Sequence, residues 1–525
     1  MTMHNGTALC RTTVQLGRRA TIGALGFLAL LATACGPDSE LAARKSAEAT
    51  ALLEAGDPFG ARQAALAAVE ARDDVAAHWI GLGRVELASG RIGDAYSAYS
   101  RAIELDATNV EALQVISQIA LQAGRPRDAT RFADQLLALQ PDQTGAKLTK
   151  GFVALLENRL AEADGLADAI LAAAPRDDGG IVLKARVLAR QNKLDDAATL
   201  LEGHLPTASS DVVLTMLIEV RRRQGDGAAL EAALARLVAK APTGERVFDL
   251  ASVQYKRGKA EVARGTILAR LEASPNDAEM HDQAAEFWIE NDPDVFTPPR
   301  IADISRRGTL PIRTVAARVL LANGRAGDAM RVIQPVMNAG TPPDLRALFA
   351  VARSAQGAHD EALAIADEVI KTDETNAIAR LERARLQRDR GELAQAMQDA
   401  QIVLRDDPRS VEGRLLVIDV YRRRNEANRA RRLFEEAVRQ MPQSLRITRA
   451  YIAFLNASGD AQRAFAIADG YTKLNPARLG GWSLLRGQCR DAACMARVAQ
   501  GRQIASATFT PEGSQTPARG IFGSL

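Results

Sequence analysis

One alanine position recurs at a fixed spacing along most of this 525-residue chain. Five alanines lie 34 residues apart, and the register continues with small slips through six more: Ala61, Ala95, Ala129, Ala163, Ala197, Ala263, Ala329, Ala362, Ala396, Ala430 and Ala464. A glycine or an asparagine stands five residues before each alanine, and a proline often closes the period, as at Pro141, Pro175 and Pro408. Such a period is too short for an independent domain. It predicts an array of one supersecondary unit that buries its apolar face against its neighbours.

These markers predict that each period is a pair of helices. Glycine or asparagine supplies the left-handed residue that ends a helix, and proline cannot continue one. The alanine lies early in the second helix, where a small side chain lets the two helices approach closely. Larger apolar residues such as Tyr99, Phe132 and Phe434 follow three or four positions later. The predicted fold class is therefore all-α.

One period carries the most diagnostic set of residues at characteristic spacings: Trp79, Leu82, Gly83, Ala95, Tyr99 and Ala102. In this respect the chain resembles the tetratricopeptide repeat (TPR) family, although Glu86 stands where that family usually has an aromatic residue. The resemblance covers residues 42–478, about twelve or thirteen helix pairs. It implies a TPR-type α-solenoid, a right-handed superhelix in which the first helix of each pair lines a concave groove that contacts partners.

The register weakens once, at 291–300, where three prolines fall within ten residues. This stretch predicts an irregular break with a short second helix, and it is either a hinge or a long loop on a continuous solenoid. The predicted organisation therefore has an N-terminal superhelix over 42–290 and a C-terminal one over 301–478. A capping helix over 479–503 and a disordered tail over 504–525 follow them.

Residues 1–34 have the three parts of an export signal: a basic stretch, the short apolar run 22–31, and small residues directly before Cys35. This junction resembles the bacterial lipobox, which implies lipidation of Cys35, an acylated linker over 35–41 and stable anchoring to a membrane. Gly36 after the cysteine favours the outer membrane, with the chain facing the periplasm, over the inner membrane. The alternative is an ordinary signal that is cleaved after Ala34.

Charge excludes a nucleic-acid partner. The signal contains three arginines and no acidic residue, so without it the 67 basic residues fall to 64 and balance the 64 acidic ones. The sequence also lacks nucleotide-binding and hydrolase motifs, and its histidines are widely separated. It therefore predicts a protein that is not an enzyme and that has no cofactor and no metal site.

Two cysteines remain beyond the signal and the lipidation site, at Cys489 and Cys494. In an exported protein such a pair favours a disulfide. A spacing of five places the two on different faces of a helix, so a bridge requires the capping helix to end or bend between them. Two free thiols or a metal site are the alternatives.

Arginine marks the candidate binding surface. Counted from the turns, Arg84, Arg186 and Arg385 share one groove-facing position, and Arg388 and Arg422 share another one turn later. Residues 376–450 hold 17 arginines and 11 acidic residues in an otherwise neutral chain. This excess predicts a docking site for an acidic peptide or an anionic polysaccharide, because guanidinium groups bind carboxylates in bidentate fashion. The alternative is arginine acting only as a helix-favouring, solubilising residue.

Together these features predict a lipid-anchored periplasmic TPR scaffold that mediates protein–protein interactions in an envelope assembly or export system. Lipoproteins of similar plan take part in exopolysaccharide secretion and pilus assembly. One alternative is a periplasmic chaperone or adaptor for outer-membrane or pilin substrates, which a broad apolar groove would favour. Another is a regulator of a peptidoglycan synthase.

Overall fold

The computed structural model describes residues 36–338 and 340–507, and within them every regular element is a helix. The first nine helices are α1 Gly36–Glu54, α2 Pro58–Ala71, α3 Ala76–Ala88, α4 Ile92–Leu105, α5 Val110–Gln122, α6 Pro126–Leu139, α7 Thr144–Leu156, α8 Leu160–Ala173 and α9 Asp178–Arg190. Tertiary contacts divide the chain into two compact units, one ending at Val187 and the other beginning at Leu188. We call them unit one and unit two.

Unit two holds the remaining helices, with two 3-10 turns at Leu205–Thr207 and Gln334–Val336. Its first ten helices are α10 Leu194–His204, α11 Val212–Gln224, α12 Gly227–Lys240, α13 Gly244–Lys256, α14 Ala260–Ala273, α15 Ala278–Asn291, α16 Pro298–Arg307, α17 Leu310–Ala322, α18 Ala326–Ile333 and α19 Pro343–Ala355. The others are α20 His359–Thr372, α21 Ala377–Asp389, α22 Leu393–Asp406, α23 Val411–Arg423, α24 Ala427–Gln440, α25 Leu445–Ala457, α26 Ala461–Leu474, α27 Leu479–Arg486 and α28 Ala492–Ala507.

The helix pairs form for the reasons that the period predicts. All eleven glycines and asparagines of the pattern adopt a left-handed φ, between 59° and 87°, and end the first helix of their pair. All eleven recurring alanines are completely buried between the paired helices. Three pairs of the described chain lack the complete pattern: α11/α12, α15/α16 and α27/α28. Gly225 ends α11 with φ 73°, but Leu230, also completely buried, takes the place of the alanine.

Glu86 replaces the usual aromatic residue without leaving a buried charge unsatisfied. Its side chain is only 2% exposed. Its two oxygens accept hydrogen bonds from Nε of Arg62 at 2.8 Å and from Nε of Arg91 at 2.5 Å. The departure from the family pattern is therefore compensated by two charged partners within unit one.

The Pro-rich stretch 291–300 packs into the core of unit two. Val295 and Phe296 are completely or almost completely buried, and Phe296 lies edge-on to Trp288 with ring centroids 5.6 Å apart. Asp292 is held by Arg264 and Tyr255. Helix α16 is short, as the sequence predicts, but these contacts favour a fixed loop over a hinge. The boundary between the two units lies at 187/188, not at this stretch.

We expect trypsin to spare the Arg300–Ile301 bond in the folded protein. Arg300 donates to the carbonyl of Val295 at 2.9 Å and pairs with Glu261 at 2.6 Å, which holds the segment against local opening. The Arg307–Gly308 bond is an internal control because the side chain of Arg307 is 79% exposed. N-terminal sequencing of early fragments should find Gly308 before Ile301. An early fragment that begins at Ile301 would show that a hinge exists.

The ends of the described chain differ from the prediction. The linker 35–41 is helical from Gly36 onward, as part of α1. The single capping helix predicted over 479–503 is instead the pair α27 and α28. Gly487 ends the first helix, and the Asp491 side chain caps the second by accepting a hydrogen bond from the Cys494 amide at 2.8 Å. Helix α28 continues to Ala507, four residues into the predicted tail. Cys35 and the rest of the tail lie outside the described residues.

Candidate partner-binding site

A cavity of about 400 Å³ opens between the first helices of three consecutive pairs in unit two, α21, α23 and α25. It brings together three of the five predicted arginines, Arg385, Arg388 and Arg422. Its polar rim is completed by three charged residues that the sequence pattern does not predict: Glu412, Asp419 and Arg446. The cavity therefore gathers four guanidinium groups against two carboxylates.

The floor of this cavity is apolar. Phe434 and Phe454 form its base with ring centroids 5.3 Å apart, and Tyr451 stacks on Phe434 from below at 5.0 Å. These aromatic contacts hold the base in one arrangement. The floor consists of Leu415, Leu416, Ile418, Phe434, Ala450, Ala453 and Phe454.

Two of the four arginines are engaged within the protein. Arg388 lies 3.0 Å from carboxylate oxygens of both Asp389 and Asp419. Burial opposes its charge, but the hydrogen bonds to these carboxylates outweigh the burial and raise the pKa of Arg388. Arg446 forms an ion pair with Glu412. These two arginines hold the carboxylates of the rim in place, so much of their own hydrogen-bonding capacity is occupied.

The other two arginines have donors to spare. Among the described residues, Arg385 makes one ion pair, a long one of 3.5 Å to Glu382, and 40% of its side chain is exposed. Arg422 makes one, of 3.3 Å to Asp419, with 49% of its side chain exposed. A guanidinium has five N–H donors, so each of these side chains can bind an incoming carboxylate without losing an internal partner.

The remaining predicted arginines, Arg84 and Arg186, belong to unit one and do not join this cavity. Arg84 is exposed and binds Glu111 in bidentate fashion at 2.7 and 2.5 Å, and these hydrogen bonds raise the pKa of its guanidinium. Arg186 is only 8% exposed and lies over the ring of Phe152 at 5.9 Å. Its burial leaves little of the side chain accessible to a partner. Repeat register alone does not report local burial.

A helix far away in the sequence faces the cavity region within unit two. Glu290 on α15 lies 3.7 Å from Arg478, which follows α26. One turn earlier on α15, about half of the Glu286 side chain is exposed. Partial burial of its carboxyl group raises the pKa of Glu286, and the negative charge of Glu412 raises it further. An acidic edge thus adjoins the ends of α23 and α25 that carry Glu412 and Arg446.

Register holds the signal that could have identified Glu412 and Arg446. They stand 34 residues apart, each at the second position of the first helix of its pair, and they carry opposite charges. Opposite charges at one repeat position are neighbours on adjacent repeats. Opposite charges at equivalent positions of adjacent repeats therefore predict the Glu412–Arg446 pair, whereas the clustering of arginines does not.

The structure joins Cys489 and Cys494 in a disulfide with Cα atoms 5.5 Å apart. This is possible because the chain turns between α27 and α28, as the bridge requires. Within 36–338 and 340–507, no group of three or more histidine, cysteine, aspartate or glutamate side chains is arranged to hold a metal ion. None of the described helices is long and apolar enough to cross a membrane.

Family models of the tetratricopeptide repeat match residues 46–110 and 86–150. Residues 46–150 of the chain therefore carry tetratricopeptide repeats. The fold of the chain is the all-α TPR solenoid that the period predicts, and its register continues beyond the matched residues to Ala464. TPR arrays in general are scaffolds for protein–protein interaction. No curated protein matches the sequence.

Solved structures of TPR proteins resemble parts of the chain at low identity. One, a TPR protein from Parabacteroides merdae ATCC 43184, is 14% identical, with 46% of this chain and 97% of that chain covered and a TM-score of 0.37. The PilF protein of Pseudomonas aeruginosa is 16% identical, with 39% and 94% covered and a TM-score of 0.32. The Naa15/Naa10 complex with HypK gives 13% identity, 91% and 75% coverage and a TM-score of 0.36.

Proposed function

We propose that this chain is a lipid-anchored scaffold on the periplasmic side of a bacterial outer membrane. It holds a protein partner in an envelope export or assembly system, of the kind that secretes exopolysaccharide or builds pili, and it performs no chemistry of its own. The observation that carries the proposal is the cavity on α21, α23 and α25. There, arginines with donors to spare stand above an apolar floor on the first helices of three successive repeats.

The disulfide supports an exported location. Such bridges persist in oxidising compartments such as the periplasm and are rare in the cytosol. Cys489 and Cys494 close a short loop at the end of the described chain. Together with the signal-like residues 1–34 and the lipobox-like Cys35, this favours a chain that crosses the inner membrane and folds outside it.

Replacing Cys35 with alanine should abolish lipid attachment, because only the thiol of that residue can carry the diacylglycerol. The measurement is incorporation of radiolabelled palmitate in a bacterial host, with membrane and periplasmic fractions compared. We expect the Cys35→Ala chain to lose the label completely and to leave the outer-membrane fraction. Cys10→Ala is the matched control, since Cys10 lies inside the signal and should leave labelling unchanged. Labelling of the Cys35→Ala chain would contradict the lipoprotein proposal.

Partner capture is tested by photo-cross-linking in cells. A benzoylphenylalanine at Arg449, an exposed position of α25 one turn before the cavity-lining Ala453, leaves the floor open and should cross-link to one defined envelope protein. The same residue at Ala466, an exposed position of α26 outside the cavity lining, is the control and should not. Cross-links from Arg449 to many unrelated unfolded substrates would instead indicate a chaperone. Equal cross-linking from both positions would remove the cavity as the binding site.

A further inference from the structure

We infer that the cavity on α21, α23 and α25 takes an acidic peptide segment of its partner, and that this segment inserts one bulky apolar side chain between two carboxylate-binding arginines. The inference rests on the proposed function, because it names the chemistry of the partner at the same site. The inference favours the acidic peptide over the anionic polysaccharide. The arginine content alone does not distinguish between these two ligands.

The floor decides between those two ligands. The seven apolar side chains of the floor offer no hydrogen-bonding group, and the Phe434–Phe454 pair closes the base. The charged side chains of the rim can bind sugar hydroxyl groups, but a hydroxyl that faces the floor loses its hydrogen bonds to water without replacement, which opposes binding. A phenylalanine or leucine side chain gains free energy from the same burial. A cavity of about 400 Å³ lies within the range that binds compact ligands.

The rim supplies the acidic preference. Arg385 and Arg422 lie on adjacent first helices, and each retains N–H donors beyond its single long ion pair. The charges of Arg388 and Arg446 are already compensated by internal carboxylates. Two carboxylates of the partner, one for Arg385 and one for Arg422, therefore match the spare cationic capacity of this rim.

Charge along the helix axes gives the segment an orientation. Arg422 is the penultimate residue of α23, and Glu412 is the second residue of the same helix. At a rise of about 1.5 Å per residue, the two lie about 15 Å apart along the helix axis. Glu286 adjoins the Glu412 end and adds a second carboxylate there. Glu412 is already paired with Arg446, and Glu286 with Arg318, so this end offers an acidic segment no spare cationic group. Arg422 offers one at the other end. The carboxylates of the segment should therefore lie on the side of the helix C-termini, with the apolar side chain over the floor.

The test is a selection of phage-displayed random nonapeptides on the purified full chain in detergent, followed by binding measurements with the selected peptides. We expect enrichment of sequences in which aspartate or glutamate flanks one phenylalanine, leucine or tryptophan. Replacing that apolar residue by glycine should weaken binding at least tenfold, and replacing the acidic residues by serine should do the same. Excess alginate, an anionic polysaccharide, should not displace the peptide.

Two variants of the chain test the two halves of the site. Arg385→Glu with Arg422→Glu should abolish peptide binding, and Ala453→Leu should weaken it at least tenfold by filling the floor while leaving the arginines in place. Arg432→Glu with Arg439→Glu is the matched control. It makes the same charge change on exposed positions of α24 that line no part of the cavity and make no ion pair among the described residues. Circular dichroism should show equal helicity for all of them.

The inference is overturned if the selection enriches nothing, if it enriches peptides lacking either feature, or if alginate competes and Ala453→Leu has no effect. The last result would assign the cavity to a polysaccharide. Peptide selection can fail while position 449 still cross-links to one protein in cells, in which case the proposed function stands and only the ligand chemistry is wrong. If the cross-link from position 449 is also absent, the proposed function fails with it.

Discussion

Replacing Asp292 with alanine should lower the free energy of unfolding of unit two by about 3–5 kcal/mol, the range for breaking a buried ion pair. Asp292 is 7% exposed and accepts hydrogen bonds from Arg264 at 2.6 and 2.8 Å and from the Tyr255 hydroxyl at 2.6 Å. Without the carboxylate, the Tyr255 phenol loses its partner, and the largely buried Arg264 guanidinium keeps only the exposed Glu261. Urea unfolding followed by circular dichroism measures the effect, and hydrogen exchange should place it in α14, α15 and α16.

Asp294 offers a matched control two residues away. It is exposed and makes no ion pair or side-chain hydrogen bond within the described part of the chain. Asp294→Ala should therefore change stability by no more than about 0.5 kcal/mol. If the two variants unfold at the same urea concentration, the Asp292 network contributes nothing to the fold, and the case for a fixed loop over 291–300 weakens with it.

The destabilisation should also depend on pH. Burial alone would raise the pKa of Asp292, but the hydrogen bonds from Arg264 and Tyr255 outweigh it and lower the pKa below its usual value. A carboxyl group whose pKa is lowered by folding stabilises the native state above the pKa of the unfolded chain, about 4, and loses that contribution as the pH falls through the native pKa. The stability gap between the wild type and Asp292→Ala should be full at pH 7 and shrink below about pH 4.

Gly83→Ala should destabilise unit one by about 1–3 kcal/mol, although alanine is the better helix former. A Cβ atom at this position would lie 2.6 Å from the ring of Tyr99, which is completely buried, so one of the two helices must move. This contact also explains why Gly83 and Tyr99 occur together in the repeat pattern.

Gly81→Ala in the same helix separates packing from propensity. The nearest atom to a Cβ there is the Ser46 hydroxyl at 3.7 Å, an ordinary contact. This variant should be neutral or more stable by up to about 1 kcal/mol, because alanine has the higher helix propensity. Thermal unfolding of the two variants should show shifts of opposite sign. A stabilised Gly83→Ala protein would show that α3 and α4 are loosely packed at this point.

The sequence predicts the helix pairs well because the determinants of each turn are local. Glycine or asparagine ends a helix whatever its neighbours are, and an alanine in register reports close packing within one pair. The pattern overlooked the pair whose first helix ends at Gly225, because Leu230 packs in place of an alanine there. Local rules also could not locate the unit boundary at 187/188, which depends on how contacts are distributed between helices.

The site was only half predictable for the same reason. Repeat register placed Arg385, Arg388 and Arg422 on the groove side, and the structure gathers them in one cavity. Register could not show that Arg186 at the equivalent position is buried, or that Asp389 and Asp419 already hold Arg388. Whether an arginine has donors to spare depends on side chains from neighbouring repeats, and a single period does not contain them.

The pair formed by Glu290 and Arg478 joins segments 188 residues apart in the sequence. In an ordinary solenoid each repeat contacts only its neighbours, so its stability is close to a sum of nearest-neighbour terms and its ends can fray independently. A contact that spans so many repeats adds a term that such a sum does not contain. It couples the final repeats to α15 by up to about 1 kcal/mol, the size of one partly exposed ion pair.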